Sequence, residues 1–531
     1  MNRTRIAWGG VVCALLFGSC SKPDAPTPDH VLLVVIDTLR ADHLSSFGYA
    51  RPTTPNIDRL ARNGVRFTRA ISQASFTSPS MVSLMTGRYV AKERLTIPAD
   101  LATLAESFQR AGWATGGFAS NPLITAENGF ARGFDVFAKL EEYGPNDEIE
   151  RFLEASKGRR TFTYVHITEP HEPYVAPKGQ QQWREAASFL PGDRVEFYAQ
   201  MRDKLGLSDM SADVRAIQAE IGGYDDDVKY ADGRVAAVLA LFDKFALRDK
   251  AVVALTSDHG EGLWQHVALM NGQRGAKLRA GEKPNLMNTL MPTHGNQVHQ
   301  SLVHVPLVLS GFGVPSGAAV NAPVENVDLF PTLLELANVR TPGGLQGRSL
   351  LQWFNGRPEG EAFGFSFTRF NVTVVDEQSW ALILPTAEGE CAEGLQLELF
   401  YLKEDPHQRV NRAADRPEIV ARLTKVAEER LSKGIRDADV ASDSTLRAFA
   451  ELGYLDQAEK ATAEREFASA TTDELLARLC SLGTPCMDRL LAAETLAARE
   501  LDAAAQAKLE AWLAAETSSA VKLVVERALG R

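Results

Sequence analysis

HVLLVVID, residues His30–Asp37, sets six consecutive apolar residues, Val31–Ile36, ahead of an acid. A short run of this kind, rich in Val and Leu, reads as a central strand of a parallel sheet, buried on both faces. Three further stretches share its character: TFTYVHI (Thr161–Ile167), KAVVALTSD (Lys250–Asp258) and VPLVLSG (Val305–Gly311). Amphipathic helical patterns lie between them, over Leu101–Ala111 and Tyr224–Phe242, and Asn56-Ile57-Asp58-Arg59-Leu60-Ala61 reads as a helix start with an Asn cap. Strands alternating with helices predict an α/β fold, a mainly parallel sheet flanked by helices.

Two of these strands end in acids, Asp37 after Ile36 and Asp258 after Thr256-Ser257. Ligands of open parallel sheets bind outside the carboxyl ends of the strands, so both acids are expected on one rim. A buried carboxylate pair repels itself unless a cation or a proton intervenes. His259 follows Asp258 directly, and two acids with a histidine are enough to begin a metal site. Read alone, the SDHGE stretch is equally a turn at a strand end.

Further out lies ASFTSPSMVSLMTGR, Ala74–Arg88, where three hydroxyls surround a proline ahead of a helical pattern (Met81, Val82, Leu84, Met85) that stops at Gly87. Pro79 suits the first helical turn and puts Thr77 or Ser78 at the helix start, where backbone N–H groups and the helix dipole favour an anion. Thr77 is then either a simple cap or a nucleophile activated by a divalent metal.

The 531-residue chain is 45% hydrophobic and 24% charged, with a net charge of -11, which argues against a general nucleic-acid binder. Arg3 and Arg5, the apolar run Ile6–Phe17 and Gly18-Ser19-Cys20 make a bacterial lipoprotein signal over residues 1–20, with Cys20 as the lipidation site. The run is too short to remain as a spanning helix. KPDAPTPD (Lys22–Asp29) makes residues 21–29 a flexible tether, and Ser21 beside the lipid site favours the outer membrane, so the expected location is the cell envelope. Cys480 and Cys486 can pair in an oxidising compartment, leaving Cys391 over. Ala176–Gly222 is polar and partly helical, with the character of a lid. Val267–Thr293 is loop-like and locally basic through Arg274, Lys277, Arg279 and Lys283. Residues 30–410 are expected to form the catalytic domain, and 411–531, rich in Ala, Leu and Glu at helical spacing, a small helical appendage.

With these residues in place the chain resembles sulfatases of the alkaline phosphatase superfamily. Val31–Ser75 looks like the family's opening segment and TSPSMVSLMTGR (Thr77–Arg88) like its nucleophile motif. HITEPHEPY (His166–Tyr174), TSDHGE (Thr256–Glu261), HGNQVHQSLVHVPLVL (His294–Leu309), LFYLKEDPHQRVN (Leu399–Asn411) and LRAFAELGYL (Leu446–Leu455) follow in the family's order. The resemblance implies that Asp37, Asp258 and His259 are metal ligands, that Thr77 is ligand and nucleophile together, and that His171 and His294 face the substrate's anionic oxygens or leaving group. His266 is a weaker candidate of the same kind.

The sequence also departs from the family. Sulfatases place a cysteine where Thr77 stands and oxidise it to formylglycine, a conversion that also reads an arginine four residues later; here that residue is Met81. Formylglycine is therefore excluded at this position. Thr38 stands where a second Asp is usual, and GGFASNPLI (Gly116–Ile124) lacks the expected Lys and His but carries Asn121. In phosphodiesterase and phosphonate hydrolase relatives an asparagine binds the phosphoryl oxygen. The nitrogen of His259 favours Zn²⁺ or Mn²⁺ over Ca²⁺, with Ca²⁺ still admissible. The expected activity is metal-dependent hydrolysis of sulfate or phosphate esters through Thr77, leaning to phosphoesters and phosphodiesters. Transfer of a phospho-headgroup to an envelope acceptor and a degenerate binding protein are the alternatives.

Overall fold

The computed structural model describes residues 26–513 apart from 91–94, 185–191, 271–272, 275–282, 355, 357–359, 369, 387–394, 435–469, 481–491, 493–495 and 497–500, together with residue 525. The signal with Cys20, the cysteines Cys391 and Cys486, the basic residues Lys277 and Arg279 and the segment Leu446–Leu455 lie outside the described residues.

The strand read first, β1 (His30–Ile36), is buried at every position and lies centrally in an eight-stranded sheet. The other strands are β2 (Gly64–Ile71), β3 (Ala114–Ala119), β4 (Val136–Lys139), β5 (Thr161–Ile167), β6 (Ala251–Ser257), β9 (His304–Gly311) and β10 (Ala318–Glu325), in the order β10-β2-β9-β6-β1-β5-β3-β4. A separate two-stranded ladder, β7 (Leu269–Met270) with β8 (Gln273–Arg274), precedes β9. All pairings in the large sheet are parallel except those of β9, which runs against both its neighbours. This is the expected mainly parallel α/β sheet, with an alkaline-phosphatase-like architecture.

Alternation along β1 explains why both faces are covered. Leu32, Val34 and Ile36 join one hydrophobic core and Val31, Leu33 and Val35 the other. The first core is closed by α6 (Ser211–Lys244) with α4 (Asp147–Ala155), the second by α2 (Thr77–Thr86), whose residues are all buried, with α3 (Leu104–Arg110). Each fully buried aliphatic side chain contributes about 1.5–3 kcal/mol relative to exposure. α2 ends where Gly87 adopts φ 65°, a left-handed stop that favours glycine.

Two local expectations differ from the structure. Asn56 does not cap α1 (Pro55–Arg62): Thr54 holds the cap position without a side-chain bond and Pro55 opens the helix. The free amides of Asn56 and Ile57 donate instead to Asp232 on α6, at 2.8–3.1 Å. The segment Ala176–Gly222 is not all lid. It holds α5 (Gly192–Leu205) and the first turns of α6, so the amphipathic stretch seen from Tyr224 is the second half of one 34-residue helix. The polar first half hid the continuity.

A four-stranded antiparallel sheet follows, β11 (Phe363–Phe367), β12 (Asn371–Asp376), β13 (Trp380–Pro385) and β14 (Glu398–Tyr401). The helix Pro417–Lys433 places Leu423 and Ala427 in the same core as α2. The helices Thr472–Cys480 and Ala503–Leu513 share a smaller cluster with Leu269 and Phe370. No helix among the described residues is long and apolar enough to cross a membrane.

Because Asp232 caps α1 from another helix, Asp232→Ala is expected to lower the unfolding free energy by about 1–2 kcal/mol. A urea midpoint that falls while the catalytic rim keeps its function is the expected result; an unchanged midpoint contradicts the capping role.

Candidate active site

Register builds the rim. Ile36 of β1 lies opposite Ser257 of β6 and Ile167 of β5, so the chain leaves three adjacent strands at Asp37, Asp258 and Thr168. Ala119 of β3 pairs with His166, which brings Asn121 to the same edge. Asp37, Asp258 and His259 are fully buried there. His259 Nε2 lies 3.4 Å from Asp258 Oδ2 and 3.7 Å from Asp37 Oδ1.

The backbone fixes Asp258 before any ligand arrives. Its Oδ1 accepts the amides of His259 (2.8 Å) and Thr38 (3.2 Å), leaving Oδ2 buried without a partner. The His259 ring donates from Nδ1 to the Gly260 carbonyl (2.9 Å), which turns Nε2 toward the carboxylates. Gly260 and Gly262 let this turn lie against its surroundings: a Cβ on either would overlap the carbonyl of Ser301 or of Thr293.

Thr77 joins them from the start of α2. It is fully buried, and its Oγ1 lies 3.2 Å from His259 Nε2. Phe76 holds the cap position with no side-chain cap bond. The neighbouring serines do not cap the helix either: Ser80 Oγ donates to the Asp258 carbonyl (2.6 Å), tying α2 to the acid-bearing turn, and Ser78 Oγ is buried without a partner.

The two expected substrate-facing histidines join the same cluster. The His294 ring is 4.2 Å from that of His259 and 5.2 Å from that of His171. His171 Nδ1 donates to the Glu172 carbonyl (2.6 Å), and His294 Nδ1 bonds Glu261 Oε1 (3.1 Å), so each ring is oriented by its Nδ1. His266 stacks instead on His299, centroids 3.8 Å apart. Asn121 is spoken for in part: it donates from Nδ2 to Asp37 Oδ2 and its Oδ1 accepts the Leu123 amide (2.7 Å).

Electrostatics fits a cation here. Burial, then the charge of Asp37, pushes Asp258 up to about 7, while burial holds His259 down at about 4 and His294 well below its ordinary value. Burial works against ionisation of Asp37 too, but the neighbouring His166 ring, 3.8 Å away, and the charges of His171 and His259 outweigh it and hold its carboxyl below the usual range. Glu261, beside His294, is pushed up to about 8 by burial. Asp37 Oδ1 and Asp258 Oδ2 are orphaned, buried and 3.4–3.7 Å from one imidazole nitrogen. Such spacings follow when ligands sit about 2.0–2.3 Å from a single ion.

His166 reads in the sequence as a polar residue near the end of a buried strand and as the first residue of HITEPHEPY, with no role of its own. Its Nε2 lies 3.8 Å from Asp37 Oδ2, and Asp37, His166 and Asp258 present ligand-type atoms all within 4.8 Å of one another. Glu261 was equally hidden, inside a motif read for its Asp and His.

The sheet and its rim define a hydrolase of the alkaline-phosphatase-like α/β class. The chain belongs to the sulfatase family: the family model described as Sulfatase matches residues 29–339. It is 24% identical to an ulvan-active sulfatase of Formosa agariphila over 64% of this chain and 68% of that one. It is 23% identical to the multifunctional alkaline phosphatase superfamily protein PehA of Trinickia caryophylli over 78% of this chain and 96% of that protein. The fold is similar to the crystal structure of a phosphonate monoester hydrolase of Agrobacterium radiobacter, with TM-score 0.57, 21% identity and coverage of 76% of this chain and 95% of that one. The protein is thus a sulfatase-family ester hydrolase.

Gly260→Ala is expected to displace the turn that carries Asp258 and His259 while leaving both side chains in the sequence. Metal retained after dialysis, measured by atomic emission, is expected to fall well below wild type; full retention sinks the role given to this close packing.

Proposed function

We propose that this sulfatase-family enzyme cleaves phosphoesters, phosphodiesters foremost, with Thr77 as nucleophile, Asp37, Asp258, His259 and Thr77 as the residues that hold a divalent cation, and His171, His294 and Asn121 facing the substrate. The observation that carries this is the buried Thr77 hydroxyl, 3.2 Å from His259 Nε2, the same nitrogen that lies 3.4–3.7 Å from two orphaned carboxylate oxygens. The relatives support it: one is named a multifunctional alkaline phosphatase superfamily protein, and a phosphonate monoester hydrolase shares the fold. A threonine where sulfatases carry a formylglycine precursor also favours direct attack by an alcohol.

The chain's own groups divide the work. Thr77 Oγ1 attacks phosphorus in line, forming a covalent ester as the leaving group departs on the far side. The α2 start presents its positive end to the equatorial oxygens. The Thr77 proton passes to Nε2 of His171 or His294, each anchored through Nδ1, and the imidazolium so formed donates it to the leaving oxygen. Asn121 keeps one N–H for a substrate oxygen. Water then displaces phosphorus from Thr77 and restores the hydroxyl. A bound divalent cation supplies Lewis-acid polarisation and lowers the pKa of the threonine hydroxyl. The imidazole in the set favours Zn²⁺ or Mn²⁺, with Ca²⁺ the harder alternative. A lipid on Cys20 would hold the enzyme in the cell envelope, at the outer membrane.

The deciding experiment is a substrate panel of aryl phosphate monoesters, diesters, phosphonates and sulfates with each metal. Diester turnover above sulfate turnover is expected, and the reverse order overturns the substrate assignment. Thr77→Ala is expected to cost roughly 10³-fold or more in kcat, on the scale of lost covalent nucleophiles. Thr77→Ser is expected to keep measurable turnover. Near-normal turnover in Thr77→Ala would leave Thr77 a structural residue.

Asp37→Ala, Asp258→Ala and His259→Ala are each expected to reduce bound metal per chain, and full occupancy in all three means the site is misplaced. Cys20→Ala is expected to shift the protein out of the membrane fraction or leave it unprocessed; a wholly soluble wild-type protein rejects the anchor.

A further inference from the structure

Distance alone makes His166 a further metal ligand, because its Nε2 and ligand-type oxygens of Asp37 and Asp258 all lie within 4.8 Å of one another. Hydrogen bonding argues otherwise. His166 Nδ1 lies 2.8 Å from the hydroxyl of Tyr164, two residues back on the same face of β5. Tyr164 is fully buried, and His166 Nδ1 is the hydrogen-bond partner found for its hydroxyl among the described residues. A neutral phenol has one proton, and a buried donor without an acceptor is strongly disfavoured. The hydroxyl therefore donates to Nδ1, which fixes the tautomer with the imidazole proton on Nε2. A nitrogen that carries a proton has no lone pair for a metal ion. The opposite tautomer would free Nε2 but strand the phenol proton in the core.

His166 Nε2 makes no hydrogen bond of its own among the described residues: Asp37 Oδ2, the oxygen that receives the Asn121 amide, lies 3.8 Å away, so the Nε2 proton faces the carboxylate as an electrostatic partner and not a hydrogen-bonded one. The other oxygen, Oδ1, is buried without a hydrogen-bond partner and lies on the His259 side, 3.7 Å from its Nε2. The two oxygens of one carboxylate thus have different surroundings. We propose that Tyr164 and His166 form a relay that, with Asn121, commits Asp37 Oδ2 to the protein and reserves Oδ1 for the cation, so that His166 is a positioning residue and not a ligand. This rests on the reading of Asp37 as a metal-holding residue.

Strand register makes the relay possible. Val35, two residues before Asp37, lies opposite His166, and His166 lies opposite Ala119, two residues before Asn121. Three neighbouring parallel strands therefore deliver the carboxylate, its Asn121 donor and the His166 ring to one rim position. The Asp37 amide also bonds the Ile167 carbonyl (2.8 Å), pinning the acid next to β5.

The test is metal affinity, not turnover. Full-length protein stripped by chelation is titrated with Mn²⁺, and free Mn²⁺ is followed by electron paramagnetic resonance. His166→Ala is expected to bind about 10–100-fold more weakly, as for lost groups that orient a ligand. His166→Gln, whose amide N–H reaches about where Nε2 stands, is expected to stay within about threefold of wild type, and Tyr164→Phe to fall between the two. His166→Gln as weak as His166→Ala, with melting temperatures unchanged, makes His166 a ligand and overturns the relay. Wild-type affinity in His166→Ala also overturns it. Should His166→Ala fail to fold, the order wild type, His166→Gln, Tyr164→Phe carries the test, and a Tyr164→Phe variant with wild-type affinity rejects the tautomer argument. A wild-type protein that takes up no Mn²⁺ or Zn²⁺ refutes the metal role of Asp37 itself, an outcome seen before any variant is made.

Discussion

Two carboxylates held side by side in a dry interior are the constraint around which this molecule is arranged. Parallel pairing of β1 with β6 puts Asp37 and Asp258 one step beyond neighbouring residues, Ile36 and Ser257, and nothing in the strands can move them apart. Burial disfavours charge on either group and each opposes ionisation of the other. The protein answers asymmetrically. Asp37 is surrounded by His166, His171 and His259 and is held ionised, while Asp258 is pushed up to about 7 and is steadied by backbone amides. A pair in that condition is a cost to the folded state and a receptor for a divalent cation.

The remaining elements of the site follow from supplying that pair with partners. The Asp258–His259 turn stays close because Gly260 and Gly262 carry no side chains to hold it off. α2 is bonded to it through Ser80, so the helix start that presents Thr77 is referenced to the Asp258 carbonyl and not to a distant loop. His294 is braced by Glu261 from the same turn. The Thr77 hydroxyl, Asp258, His259 and His294 are therefore tied to one short stretch of chain, and rigid placement of this kind is what the displacement proposed for Thr77 requires.

Much of this could be read from the chain. The run Val31–Ile36 marked a doubly buried strand, and four such runs with helical patterns between them identified the sheet. The acid at the end of β1, the Asp-His pair after β6 and the hydroxyl cluster before α2 located the rim. Other features were not legible, for physical reasons. The cap on α1 comes from Asp232, 175–176 residues away in sequence, whereas local pattern sees only Asn56. The polar first half of α6 is solvated on several faces, so its hydrophobic stripe begins late and its first turns look like loop. His166 sits in a strand whose every position is buried, where a lone histidine reads as a tolerated polar residue until the neighbouring strands show what it faces.

That last case separates two kinds of information. Residue type tells which atoms can bind a proton or a metal ion; it does not tell which of a residue's atoms is free to do so. His259 and His166 are both buried imidazoles within 4 Å of Asp37, yet their environments oppose each other. His259 donates from Nδ1 to the Gly260 carbonyl, which can only accept, and so keeps a lone pair on Nε2. His166 meets at Nδ1 a phenol whose proton has no other acceptor among the described residues, and in the relay we propose it carries its own proton on Nε2. One ring is prepared as a ligand and the other as a donor by a single hydrogen bond on the far side of each. The division of labour around Asp37 is thus written in the tautomers, one layer behind the atoms that touch the rim.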